Sequence, residues 1–98
     1  MRNQKDENGR YVGFWDKELL PIQAGDKVRV PKGTYIRTMH PSKANMPSQR
    51  SIIVTVDHLL SGAYWEEIDK KIIENPSVRW PGSGGYWMEA DINDVIKV

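Results

Sequence analysis

None of the 98 residues is a cysteine, and that absence alone removes disulfides, zinc ribbons and thiol nucleophiles. No apolar run exceeds three residues, whereas a spanning helix needs about 20, so no membrane association is expected. No apolar segment follows the N-terminus in the manner of a secretory signal. With these absences and a mean hydropathy of -0.61, the expected location is the cytoplasm. Histidine occurs only as His40 and His58, without a third ligand or close spacing, so no metal site is expected.

Catalytic patterns are equally scarce. Asp57-His58 has the wording of a base with its orienting carboxylate, but neighbours within one strand face opposite ways. Ser51, Ser61 and Ser83 sit in ordinary turn contexts rather than on a strained elbow. Gly82-Ser83-Gly84-Gly85 lacks the Lys-Ser/Thr and the helix of a phosphate loop. Glu66, Glu67 and Asp69 have Lys70 and Lys71 beside them as counter-ions. The expectation is a protein that is not an enzyme, with no catalytic residues and no cofactor.

What is present is one domain's worth of chain, 39% hydrophobic and 28% charged, with charge that is polarised rather than mixed. Lys27, Arg29, Lys32, Arg37, Lys43 and Arg50 fall in a stretch without a single Asp or Glu, while residues 57–94 carry eight acids against three bases. Such asymmetry steers association with charged partners, although scattered strand charges also serve plain solvation.

Residues 77–98 have the clearest local grammar. Val78 and Trp80 alternate with Arg79, Pro81 to Gly85 supplies a reversal, and Tyr86 to Ala90 reads as the return strand. Asp91 to Asp94 is turn-forming and Val95 to Val98 is again strand-like. Upstream, Asn8-Gly9 is a hairpin signal after which 10–15 reads as a strand, although its polar partner at 2–7 is equally consistent with disorder. Residues 19–22 form an extended apolar connector. Ala24-Gly25-Asp26 is a turn, 27–31 alternates as a half-buried strand, Lys32-Gly33 turns the chain, and 34–39 forms the next strand, with Tyr35 and Arg37 on one face and Ile36 on the other. A basic loop lies between Pro41 and Pro47. Residues 51–58 are the most β-rich run and are expected to be the central strand. Trp65, Ile68 and Ile72 follow helical spacing and predict one short helix over 63–74, with a strand or irregular loop as the alternative.

This order of parts resembles the SH3-like small β-barrel, in which a 3₁₀ turn, here 92–95, commonly precedes the last strand. The resemblance implies a mainly β fold, a small antiparallel barrel of five to six strands over residues 25–98 with the helix 63–74 inserted, preceded by an N-terminal arm, 1–24, with a possible hairpin. The acidic cluster of the proline-binding members is replaced by the cationic stretch 32–50, so that ligand class is not expected. Pro31-Lys32-Gly33-Thr34 and the phrase from Trp80 to Trp87 are also similar to small uncharacterised proteins of tailed phages and prophages. That likeness implies an accessory or host-modulating protein acting in the host cytoplasm.

The candidate binding residues are Lys32, Tyr35, Arg37, His40, Lys43 and Arg50 in the basic half, and Trp80, Tyr86 and Trp87 around the glycine turn. Trp80 and Tyr86 are candidates for a cross-strand pair, and at least one of Tyr86 and Trp87 should point away from the core. Three functions follow from these residues. The first is a non-enzymatic inhibitor that occludes a protein partner, steered by 32–50 and anchored by Tyr86 and Trp87. The second is a nucleic-acid-binding barrel that uses the cations of 27–50 with Tyr35 and Trp87 as stacking platforms. The third is a structural component of a virion or homo-oligomer, joined through strand edges.

Overall fold

The computed structural model describes residues 4–5, 7–12, 17–60, 63–66 and 70–98. The fold is mainly β, with antiparallel pairings throughout and 3₁₀ turns as its only helical pieces among the described residues. The strands are β1 (Gln4–Lys5), β2 (Tyr11–Val12), β3 (Lys27–Val30), β4 (Tyr35–Thr38), β5 (Met46–Pro47), β6 (Ile52–Thr55), β7 (His58–Leu60), β8 (Ala63–Glu66), β9 (Lys71–Glu74), β10 (Ser77–Pro81), β11 (Trp87–Asp91) and β12 (Ile96–Lys97). Five of them form one sheet in the order β5-β4-β11-β10-β7, and three form another in the order β12-β3-β6.

The chain passes between these sheets four times, and three of the corners have a clear local cause. Between β3 and β4, Thr34 N–H donates to Pro31 O at 3.1 Å with Gly33 at φ +91°, the left-handed position that a type II turn reserves for glycine. Between β6 and β7, Val56 N–H donates to Asp26 O in one direction and Asp57 N–H to Arg79 O in the other. Between β11 and β12, the 3₁₀ turn Ile92–Asp94 is capped by the Asp91 carboxylate, which accepts from Asn93 N–H at 2.8 Å. This is the 3₁₀ turn expected at 92–95. Val28 and Val30 from one sheet meet Ile36, Leu59, Val78, Trp80 and Ala90 from the other in a single buried cluster, closed by Leu20, Ile22, Val56, Ile92 and Val95. Leu20 and Ile22 precede residue 25, so the apolar connector supplies part of the core beneath the strands.

The expected hairpin across the glycine turn is present, with Trp80 opposite Met88 and Pro81 opposite Trp87. The Asn8-Gly9 signal turns β1 into β2, with Gly9 at φ +77°; residues 13–15 of the expected strand lie outside the described residues.

Two expectations are corrected. The helix over 63–74 is replaced by an antiparallel pair that places Trp65 opposite Ile72 and Glu66 opposite Lys71, with Lys70 at φ +53° in the reversal; residues 67–69 lie outside the described residues. Tyr64-Trp65 and Ile72-Ile73 are β-favouring pairs, and the register sets Glu66 opposite Lys71 rather than Lys70, the i,i+4 partner a helix would give it. The run 51–58 is not one central strand. It breaks at Val56-Asp57, changes sheets there, and its first half is the outer strand of the three-stranded sheet, where Ile53 is 56% exposed. The central positions belong to β3 and β11.

Candidate binding site

Because strand side chains alternate, register assigns each residue of the five-stranded sheet to a face. Ile36, Thr38, Leu59, Val78, Trp80, Met88 and Ala90 share one face. Tyr35, Arg37, His58, Ser77, Arg79, Trp87, Glu89 and Asp91 share the other.

On the second face, Glu89 sits between two guanidinium groups. Arg37 donates to Glu89 Oε2 through Nε at 3.1 Å and Nη2 at 2.7 Å, and Nη2 also donates to Ser77 Oγ at 2.9 Å. Arg79 donates to Glu89 Oε1 at 3.2 and 3.0 Å. Arg37 is 6% and Glu89 7% exposed, so each charge is tolerated because the other is in place. Arg37 is therefore not part of an exposed basic surface, which corrects the expectation for it. Trp80 is likewise a core residue facing Met88 rather than a partner of Tyr86.

At one end of this face His58 packs edge-on against Trp87, ring centroids 4.9 Å apart, and His58 Nδ1 lies 2.8 Å from Asp57 Oδ2. The pair that strand alternation was expected to separate meets because β6 ends at Thr55 and Asp57 lies in the corner. Among the described residues His58 Nδ1 is bonded to Asp57 and to no serine or threonine hydroxyl. At the other end, Asp91 accepts from Asn75 Nδ2 at 2.6 Å and Asn93 Nδ2 at 2.7 Å. Asn93 also holds Tyr11 from both sides, accepting from its N–H at 2.6 Å and donating to its carbonyl at 2.9 Å. Arg10 reaches Asp94 at 3.3 Å. Burial and the neighbouring Asp91 charge raise the Asp94 carboxyl above its ordinary range, against the pull of Arg10 and Arg37.

The first face leaves the core at its β5 end. Beyond Ile36 the sheet opens into an apolar groove of about 340 Å³, floored by Ile36, Met46 and Met88 and lipped by Lys43 and Gln49. Met88 packs against Gly82, where a methyl group would collide with Met88 Cγ. The same face continues along the strands to His40 and Tyr86, whose rings meet edge to face at 4.7 Å, two residues beyond the Thr38–Met88 pair on each chain. The loop over this strip is fixed by its own polar groups. Thr38 N–H donates to Asn45 Oδ1 at 2.8 Å, Lys43 N–H to His40 O at 3.3 Å, and Ser42 N–H to His40 Nδ1 at 3.1 Å. Since a backbone N–H can only donate, His40 Nδ1 is an acceptor, which leaves Nε2 as the ring's donor.

Of the sequence-derived candidates, His40, Lys43 and Tyr86 belong to this strip. Lys32 and Arg50 are exposed at its far end, where Gly33 N–H donates to Ser48 O at 2.8 Å and Ser48 Oγ donates to Arg50 O at 2.6 Å. Tyr35 and Trp87 are half-buried on the opposite face. Met46 and Met88 escaped sequence reasoning because isolated methionines carry no periodic signal, and Glu89 because the partner that buries with it, Arg37, is 52 residues away.

Among the described residues no group of three or more acidic or histidine side chains is placed to hold a metal ion, and no helix is long and apolar enough to cross a membrane. No family model matches the chain, and no curated protein or solved structure is significantly similar to it.

Proposed function

We propose that the chain is a small, non-enzymatic, protein-binding β-domain of the SH3-like barrel kind, which acts by occluding a surface of its partner. The observation that carries this reading is the strip from Ile36 through Met88 to Tyr86: the inner face of a sheet that continues past its own core into solvent, with methionines on its floor. Apolar surface left open beside a packed core favours a partner's side chains, and methionine adapts to side chains of different shape. Nucleic-acid binding is less well supported, because Arg37 is neutralised in the interior and the aromatic platforms Tyr35 and Trp87 lie on the other face of the sheet. The extension to a phage accessory protein that modulates a host system rests on the sequence likeness of 31–34 and 80–87 alone.

The test is carbon-13 labelling of the methionine methyl groups during titration with uncharged extended peptides carrying one leucine, or alanine in its place. Saturable shifts of Met46 and Met88 with the leucine peptide, weakened about tenfold, or by about 1.4 kcal/mol, in Met46→Ala, are expected. Methyl signals unmoved by any peptide would overturn the proposal.

A further inference from the structure

Resting on that reading of the strip, we infer that the segment it takes is acidic and extended, and is anchored by one aliphatic side chain of a protein partner. The groove's volume of about 340 Å³ lies near the lower end of the ~300–1,000 Å³ of ordinary ligand sites. It suits one or two side chains projecting from an extended backbone better than a helix or a bulky cofactor. Its floor of Ile36, Met46 and Met88 has no charge to satisfy, so the anchor is aliphatic.

The rim selects the charge of the flanking residues. Lys43 lines the groove, and exposed Lys32 and Arg50 adjoin its Ser48 side through the chain, Gly33 N–H bonding Ser48 O and Ser48 Oγ bonding Arg50 O. No Asp or Glu occurs from residue 27 to residue 56. The acid on the neighbouring strand, Glu89, is on the opposite face and held by Arg37 and Arg79. The field over the groove is therefore positive and uncompensated by nearby carboxylates. His40 Nε2 and the Tyr86 hydroxyl add donors at the open end, which suit carboxylate and backbone carbonyl oxygens. Pro47, on the outermost strand, has no N–H to offer an added strand, so recognition runs through side chains in the groove rather than by extension of the sheet.

One cation lining an apolar trough, with two more exposed on adjoining chain, also suits a peptide better than a nucleic acid, which would need a continuous basic track with stacking surfaces beside it.

The experiment is fluorescence anisotropy at low and at moderate salt with four labelled probes: an eight-residue peptide with Asp and Glu flanking one leucine, the same peptide with Asn and Gln for the acids, the acidic peptide with alanine for leucine, and single-stranded oligo(dT). The acidic leucine peptide is expected to bind about tenfold more tightly than the neutral one at low salt, with the advantage shrinking as salt rises. Lys43→Glu/Arg50→Glu, both exposed and outside the core, should reverse the preference. Equal binding of acidic and neutral leucine peptides would overturn the inference and leave the proposed function standing. Equal binding of the leucine and alanine acidic peptides would remove the anchor and overturn it as well. Oligo(dT) bound more tightly than every peptide, and lost in the same charge variant, would replace it with a nucleic-acid interface. Silence from all four probes would overturn the inference, and with still methionine methyls would overturn both readings.

Discussion

The two faces of the five-stranded sheet are buried by different chemistry. On one, Val78, Trp80 and Ala90 lose contact with water because nothing polar opposes it. On the other, Arg37, Glu89, Ser77 and Asp91 are buried to a similar degree because each polar group has found a partner. Loss of an apolar contact on the first face costs in proportion to the volume removed. Loss of one member on the second leaves the remaining charge stranded, so the cost depends on what is left behind.

Glu89→Leu is the sharpest way to break this contrast. It deprives Arg37 and Arg79 of their shared carboxylate together, and urea unfolding should show a loss at or above the upper end of the ~3–5 kcal/mol that follows removal of one partner from a buried ion pair. Against a total stability of about 5–15 kcal/mol, that brings the protein close to unfolding. Adding Arg37→Met to Glu89→Leu should recover much of the loss, since an apolar pair replaces a stranded cation; a double variant no better than the single one would show that the face depends on charge itself. Trp80→Ala on the apolar face should cost about 3–5 kcal/mol, and no second substitution on the polar face should recover it.

The smallest effect expected is at Asp94. Its folded-state pKa is raised, so its contribution is fully present below the unfolded value, whose reference is 3.8, and is lost as pH rises through the folded value. Asp94→Asn, which keeps an acceptor for Arg10, should therefore match the wild type in acid and exceed it at neutral pH. The gain should stay below about 1 kcal/mol because the side chain is 37% exposed. A variant less stable than wild type at pH 7 would mean that the Arg10 bridge outweighs burial.

The same contrast explains what was legible in the sequence. The hairpin of 77–91, the turn at 92–94 and the strand at 27–30 were readable because turn residues and period-2 alternation within a few positions determine them. At 63–74, Trp65, Ile68 and Ile72 match a helix while Tyr64-Trp65 and Ile72-Ile73 match strands, and no neighbouring residue decides between them. Alternation correctly placed Arg37 opposite to Ile36. Which of those faces meets water was beyond local reading, since Glu89 lies 52 residues on. His40, Lys43 and Tyr86 were found by residue type, whereas the groove between them depends on the pairing of β4 with β5 and β11.

The clasp of Asn93 on Tyr11 also sets a timetable for synthesis. Its two bonds span 82 positions, which at about 5–20 residues per second of translation separates the making of the two residues by roughly 4–16 s. Throughout that interval the first hairpin has no docking place on the turn at 92–94. It is translated among the first parts of the domain and seated among the last, so a chain stalled before residue 93 would carry it undocked.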